Sequence, residues 1–334
     1  MTDNSALSNR TSRIRSIAAY ASLLISIVVL FLKIWAFHKT GSQAIYSDAV
    51  ESIVNIITAI VAIGVIVYAS KPVDKDHPYG HGKIEYVSAA FEGGLISFAA
   101  ILVIFDAVKA QFHHEQLSQL SAGLWLLVAC ALINWGTGYF LKFLGKKHAS
   151  PALESSGVHL LTDFGTTVGA LVGVALVKWT GLNWIDRAVA VLLGLWMGSV
   201  GLKLVRQSAS GLLDAEDLKL LERLAVLFQK FASNGIIQIH HARIIRSGWY
   251  HHIDAHVVVP EFWSINEAHA RLEQFEASVF EAYGYRGEAN FHLDPCKRKY
   301  CAGCDFPDCP VRREKFVRRM PVVLEHLRSK EEPV

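Results

Sequence analysis

Residues 43–70 read QAIYSDAVESIVNIITAIVAIGVIVYAS, an apolar run longer than the ~20 residues that a helix needs to cross a bilayer. Comparable runs recur, so six membrane spans are predicted at roughly 16–38, 43–70, 85–111, 120–145, 152–178 and 184–206. They explain why 52% of the 334 residues are hydrophobic and only 19% are charged. Beyond residue 210 charged and apolar residues alternate as in a soluble domain. The predicted fold is therefore an α-helical membrane domain of six transmembrane helices plus a cytosolic α+β domain.

Lysine and arginine residues collect on one side of these six spans. They lie in the N-terminal tail, in the links after the second and fourth spans, and after the sixth span, whereas the opposite links carry Lys39 and little else. Because positively charged loops stay in the cytosol, both termini are expected there, in a multi-pass protein of the cell inner membrane. The net charge of +3 follows from this asymmetry and gives no reason to expect a nucleic acid partner.

Two spans contain polar residues at helical spacing. Glu51 and Asn55 lie four residues apart in the second span, as do His159 and Asp163 in the fifth, so each pair shares one helix face. An ionisable group in hydrocarbon costs about 2.5–3.5 kcal/mol or more, and it usually faces a partner or a ligand. If the two faces meet, two carboxylates, an imidazole and an amide oxygen form a four-ligand site of the tetrahedral kind that zinc favours. The alternative interpretation is that these side chains form structural hydrogen bonds between helices instead of binding metal, and it applies above all to Asn55.

Other polar residues lie near this pattern. The link between the second and third spans contains His77 and His81 with acidic residues just upstream, which indicates a metal-binding loop at the cytosolic mouth. Solvated histidines are the alternative there. Isolated carboxylates such as Glu92 and Asp106 are expected to be solvated or to line the pore without a ligand role.

The cytosolic region has its own pattern of elements. Periodicity predicts a helix over 215–233, strands at 237–246 and 250–259, a helix over 264–283 and a strand at 287–293. Alternation along the second strand places Ile253 and Val257 in the core and leaves His252 and His256 on the other face. The imidazoles are then available to meet metal.

Four cysteines follow the last strand with the spacing Cys-x4-Cys-x2-Cys-x4-Cys, namely Cys296, Cys301, Cys304 and Cys309. On the cytosolic side thiols stay reduced. The cluster indicates a structural zinc ion with all-cysteine ligation, and free thiols or a redox pair are the alternatives because the outer spacings are not those of a standard finger. The charged stretch 312–332 is expected to form a surface helix.

These motifs together resemble the cation diffusion facilitator (zinc-transporter) family. The resemblance runs from about residue 13 to residue 295, and it rests on the Ser-Asp-Ala-Val-Glu-Ser-Ile-Val-Asn helix at 47–55, the His-Pro-Tyr-Gly-His-Gly-Lys loop at 77–83, the His-x3-Asp of the fifth span and the closing His-Leu-Asp-Pro-Cys at 292–296. It implies a homodimer with a ferredoxin-like cytosolic domain. The chain then divides into a tail (1–15), a transport domain (16–210), a metal-binding dimerisation domain (211–295) and a cysteine-containing tail (296–334).

The same resemblance implies site residues, position by position. The transport metal site falls on Glu51, Asn55, His159 and Asp163, and the loop site on Asp74, His77 and His81. The cytosolic binding positions fall on His240, His256, His269, His292 and Asp294. One departure bears on the metal: bacterial relatives that carry zinc usually have aspartate at both second-span positions, so iron(II), manganese, cobalt and cadmium remain candidates beside zinc.

The expected function is efflux of a divalent metal ion, zinc as first choice, by a secondary active transporter rather than an enzyme. Metal binding needs a neutral imidazole and ionised carboxylates, so it competes with protonation and favours exchange for protons. The cytosolic domain is expected to sense metal as a dimer clamp, and Lys83 and Asp214 to form a charge interlock. Two rivals are a membrane-anchored metal sensor and a membrane-embedded metalloenzyme; the second lacks a His-Glu-x2-His or nucleophile-elbow motif.

Overall fold

The computed structural model describes residues 2–40, 43–109, 121–182, 184–233 and 235–332, and for a few helical positions, Glu51 among them, it describes the backbone alone. The chain divides into two compact units, the first ending at Leu213 and the second beginning at Asp214.

Six long helices make up the first unit. They are α1 (Thr2–Thr40), α2 (Gln43–Ala69), α3 (Ile84–Lys109), α4 (Ser121–Lys147), α5 (Pro151–Thr180) and α6 (Trp184–Leu212). Each contains a stretch long and apolar enough to cross a membrane, and large apolar side chains such as Phe31 and Trp179 are exposed on the outside. The six predicted membrane helices are confirmed. Residues 2–15, expected as a separate tail, continue α1.

Glycines set the closest approaches between these helices. A Cβ atom on Gly93 of α3 would lie 2.9 Å from the carbonyl oxygen of Gly201 in α6, and one on Gly138 of α4 would lie 2.9 Å from that of Gly157 in α5. Small residues at such crossings let helix backbones pack closely, which is how membrane helices associate when apolar burial alone does not favour it.

Helix α5 carries two of the predicted ligands, and its start is well defined. Ser150 is the N-cap and its hydroxyl oxygen accepts a hydrogen bond from the Leu153 amide, while Pro151 occupies the first helical position. The helix ends at Gly181, whose φ of 72° is left-handed. His159 and Asp163 therefore lie within an uninterrupted helix, one turn apart.

The second unit is a small mixed sheet with helices. It comprises α7 (Leu218–Phe231), β1 (Gln238–Ser247), β2 (Tyr250–Val259), α8 (Ile265–Tyr283), β3 (Arg286–Pro295) and α9 (Leu324–Arg328). The strand order is β1-β2-β3, with β2 antiparallel to β1 and parallel to β3. Phe228 of α7, Val257 of β2 and Phe275 of α8 share one core, so both helices pack on one face of the sheet. The predicted α-β-β-α-β order is confirmed.

The C-terminal tail is part of this unit rather than an appendage to it. Val322 and Leu327 are buried in the main core, and the Val322 amide donates a hydrogen bond of 2.6 Å to Gln229 Oε1. Tyr300 and Cys304 pack with Val258 on the opposite face of the sheet. The expected surface helix over 312–332 is wrong: α9 spans only Leu324–Arg328, because the apolar residues among the charges are anchored in the core.

Candidate metal sites

Three of the four predicted transport ligands meet between α2 and α5. Asn55 Nδ2 donates a hydrogen bond of 2.7 Å to Asp163 Oδ2, and His159 Nε2 donates one of 2.9 Å to Asn55 Oδ1. His159 Nε2 also lies 3.8 Å from Asp163 Oδ1. The three residues are only 6%, 7% and 8% exposed, so polar groups are concentrated within an otherwise apolar bundle. The fourth predicted ligand, Glu51, lies on α2 one turn before Asn55, and its side chain is outside the described part of the chain.

Glu92 of α3, expected to be solvated or to line the pore without a ligand role, is buried close to this cluster. It is 1% exposed, and its Oε1 accepts a hydrogen bond of 2.8 Å from Ser156, which lies on α5 one turn before His159. Its burial results from the packing of α3 against α5, which periodicity within α3 does not reveal.

A second buried ionic group lies near the start of α5. Arg15 of α1 and Glu85 of α3 form an ion pair from which solvent is excluded, and the Ser150 hydroxyl donates to the same carboxylate. The sequence places Arg15 in the charged N-terminal tail, and its burial was not predicted. The group links α1, α3 and the N-cap of α5. Removing either charged partner would leave the other charge buried and uncompensated, which destabilises a fold strongly.

The loop residues Asp74, His77 and His81 lie together. Asp74 Oδ1 is 3.1 Å from His77 Nδ1, and Asp74 Oδ2 is 3.2 Å from His81 Nε2. Their ligand atoms lie within 4.8 Å of one another. Desolvation acts to raise the pKa of Asp74, but hydrogen bonds from the His77 amide and ring, and the two nearby imidazoles, leave it below its usual value. An ionised carboxylate between two imidazoles has the composition of a divalent metal site.

A third cluster lies on the sheet face opposite the helices. His240, His256 and Asp294 place their ligand atoms within 4.8 Å of one another, with His256 Nδ1 at 3.0 Å and His240 Nε2 at 3.6 Å from the same oxygen, Asp294 Oδ2. His292 joins them, since its Nε2 lies 3.7 Å from Asp294 Oδ1. Desolvation lowers the pKa of His240, which favours the neutral imidazole that binds metal.

His269 and His241 differ from the sequence interpretation of this cluster. His269 is exposed on α8, which packs on the other face of the sheet, so this chain does not bring it to the other four predicted residues. His241, which was not assigned, places its ring 5.1 Å from that of His256. A β-bulge between His240 and Arg243, with His241 at a φ of 50°, turns consecutive histidines toward one face. The sequence contains no signal for this bulge.

Comparison with known proteins decides the family. Residues 19–213 match the family described as the cation efflux transmembrane domain, and residues 221–296 match the cation efflux protein cytoplasmic domain. The chain belongs to the cation efflux family, the cation diffusion facilitators. An uncharacterized transporter of Synechocystis sp. is 32% identical over 91% of this chain and 99% of its own length. The cation-efflux pump FieF of Cronobacter sakazakii is 28% identical over 85% of this chain and 94% of its own, and that of Yersinia pestis is 26% identical over 84% and 92%.

Membership confirms the predicted resemblance and makes the chain a multi-pass cation efflux transporter rather than an enzyme. The charge interlock expected between Lys83 and Asp214 stays a prediction, because these residues belong to different units.

The four tail cysteines lie at or beyond the end of the matched cytoplasmic domain. All four are free of disulfides and line one pocket of about 310 Å³, but no three of their sulfur atoms lie within 4.8 Å of one another, as the ligand atoms of the loop and histidine clusters do. Burial raises the pKa of the Cys296 and Cys304 thiols.

Proposed function

We propose that this cation efflux transporter moves a divalent metal ion, zinc as first choice, out of the cytosol across the inner membrane in exchange for protons. The observation that carries the proposal is the buried three-way contact of Asn55, His159 and Asp163 between α2 and α5. The names of the FieF relatives, cation-efflux pumps, support the direction of transport. The six helices cross the lipid bilayer, and both termini face the cytosol.

The ligand set suits a divalent ion. With Glu51 and Asp163 ionised, His159 neutral and Asn55 uncharged, the ligands carry two negative charges, which one divalent cation neutralises. Four ligands match the tetrahedral preference of zinc. Three oxygen donors and one nitrogen also suit iron(II), manganese and cobalt, whereas cadmium prefers softer donors. Zinc ranks first because its affinity for such sites exceeds that of manganese and iron(II).

The ligand types at the site support exchange for protons. Asn55 Oδ1 can only accept, so the His159 Nε2 that faces it carries a proton. A metal ion at this nitrogen requires a neutral imidazole whose proton has moved to Nδ1, and one at Asp163 requires the ionised carboxylate, so protonation of either residue competes with metal binding. Protonation of these groups from the other side of the membrane then releases the metal. An inward proton-motive force drives metal outward.

The two remaining clusters receive supporting roles. The Asp74, His77 and His81 loop captures metal at the cytosolic mouth. The cluster of His240, His256, His292 and Asp294 binds metal as a regulatory ligand, and His269 reaches such a site from the second protomer of a homodimer. The match to a cytoplasmic domain whose model is named for dimerisation supports the dimer.

The test is metal flux into proteoliposomes with several divalent ions, with and without an imposed pH gradient. Wild-type protein carries zinc, the gradient drives uptake, and added metal moves protons the other way. Asp163→Asn abolishes this flux, whereas the matched variant Asp106→Asn, at an exposed carboxylate of α3, retains it. If the Asp163→Asn variant transports metal as the wild type does, the assignment of the site is wrong. If flux does not depend on the pH gradient and no protons move, the protein is a uniporter. If it transports manganese or iron(II) but not zinc, the choice of metal is wrong.

A further inference from the structure

The four tail cysteines come from different local structures and converge on one pocket. Cys296 directly follows β3, Cys301 lies in a 3-10 turn over Arg298–Gly303, and Cys304 and Cys309 lie in the irregular chain after it. All four residues line the same pocket of about 310 Å³. The fifth cysteine, Cys130, is buried in α4 of the membrane unit.

One backbone amide already points at these sulfurs. The Arg313 amide donates to Cys301 Sγ at 3.4 Å. Hydrogen bonds of this kind stabilise sulfur that carries negative charge, as around thiolate-held metals. The Cys301 sulfur thus has one hydrogen bond of the kind found at thiolate ligands.

Positive charge surrounds the same pocket. Four thiolates around one zinc ion leave two negative charges, and Lys297, Arg298, Arg312 and Arg313 line the pocket walls against one carboxylate, that of Glu261. Arg312 also fixes the loop itself, since its guanidinium donates to the carbonyl oxygens of Cys301 at 3.2 Å, of Cys304 at 3.2 Å and of Phe306 at 2.6 Å.

The tail contains a long irregular segment that a bound metal ion would stabilise. Residues 304–323 contain no helix or strand, and irregular segments beyond about 12–15 residues are uncommon in compact domains. Yet this segment leads to Val322 and Leu327, which complete the core, and to Ser329, whose carbonyl oxygen accepts from the His241 amide beside the histidine cluster. Small irregular structures of this kind are commonly held by a metal ion or disulfides.

We propose that Cys296, Cys301, Cys304 and Cys309 hold one structural zinc ion, and that this ion fastens the tail to the open face of the sheet at Val258. Zinc is the metal of closed four-thiolate structural sites. The Cys-x4-Cys-x2-Cys spacing also occurs in one class of iron–sulfur protein, so an iron–sulfur cluster is the competing outcome that the experiment must detect. The site is separate from the transport ligands and does not depend on the proposed function.

The experiment measures metals by mass spectrometry in full-length protein purified in detergent and dialysed against EDTA. Wild-type protein retains about one zinc ion per chain that Cys301→Ser/Cys304→Ser lacks. Cys130→Ser is the matched control and retains it. Equal zinc in wild type and the double variant overturns the proposal, and so does iron with acid-labile sulfide.

A second measurement uses unmodified protein, so it does not depend on how the double variant folds. A mercurial that modifies thiols is titrated into wild-type protein in the presence of a chromogenic zinc chelator. Release of one zinc ion as four thiols react supports the site, and cobalt exchanged into it gives the sulfur-to-metal charge-transfer bands of a tetrahedral thiolate complex. Four thiols that react without releasing zinc are free thiols, and the proposal fails.

Discussion

The side chain of Asn55 touches both the His159 imidazole and the Asp163 carboxylate, so its charge acts directly on the proposed transport site. An aspartate here would place a second carboxylate 2.7 Å from that of Asp163, at the distance now spanned by the amide hydrogen bond. Two such carboxylates repel each other when the site is empty and attract a divalent ion strongly.

Asn55→Asp should therefore tighten metal binding and slow release. An added charge contact of about 1.4 kcal/mol corresponds to about tenfold in affinity, so the half-saturating zinc concentration falls by about that factor while the maximal flux also falls. Initial rates of zinc uptake into proteoliposomes measure both. Asn55→Leu is the companion variant, because it removes the amide without adding charge and should weaken binding. Unchanged affinity in both variants would remove Asn55 from the ligand set.

At the scale of helices, the contact between α4 and α5 supports the position of His159. A Cβ atom on Gly157 would lie 2.4 Å from the Lys142 amide nitrogen, which is backbone and cannot rotate away. Gly157→Ala should force the helices apart, cost about 1–3 kcal/mol as overpacking does, and lower zinc flux because His159 is two residues away. Thermal unfolding in detergent and flux assays measure the two effects. Gly64→Ala is the control, since an added Cβ atom there meets no other side chain or helix of the described residues within 4 Å. Equal behaviour of the two variants would contradict this account.

Strand β2 and helix α8 enclose a histidine that makes the stability of the cytosolic domain depend on pH. His251 Nδ1 lies 2.9 Å from the Tyr283 hydroxyl oxygen, its ring stacks on Tyr285, and desolvation lowers its pKa from 6.5 to about 4. Between these two values the unfolded chain binds a proton that the folded chain does not, so this stability is present above pH 6.5 and is lost as the pH falls toward 4.

The expected slope approaches about 1.4 kcal/mol per pH unit within that window. His251→Gln keeps a hydrogen-bonding group near Tyr283 but does not titrate, and its unfolding temperature should vary less with pH than that of the wild type. Thermal unfolding of the full chain between pH 4 and pH 7, followed by tyrosine and tryptophan fluorescence, gives both curves. Parallel curves would show that His251 does not cause the loss.

The elements also show where sequence patterns suffice. The six spans and the i, i+4 ligand pairs were predicted because length, apolarity and helical period are local properties. The burial of Glu92 and Arg15 was not predicted because it depends on which helices become neighbours. His241 was missed because a β-bulge, which interrupts period two, places it on the same face as His240. The tail was misread because its charges outnumber the few apolar residues that anchor it.

At the scale of the whole molecule, the proposed function gives the histidine cluster and the transport ligands separate tasks, and one substitution in each tests that division. Asp294 is the carboxylate that His240, His256 and His292 share, so Asp294→Asn removes the centre of the cytosolic cluster. If this cluster only regulates, the variant needs several-fold more zinc for half-maximal flux but reaches the wild-type maximum. Glu273→Gln, on the exposed side of α8, is the control and should follow the wild-type curve.

Flux against zinc concentration in proteoliposomes distinguishes the outcomes. Loss of maximal flux in Asp294→Asn would place the cluster on the translocation route rather than in regulation, and an unchanged curve would deny it any role in transport. The same assay on Asp163→Asn should give no flux at any concentration, because a missing ligand within the membrane is not replaced by more metal. A sensor that works through its cytosolic domain alone would give no flux even as wild type, and its metal binding would survive the loss of Asp163 and fail with the loss of Asp294.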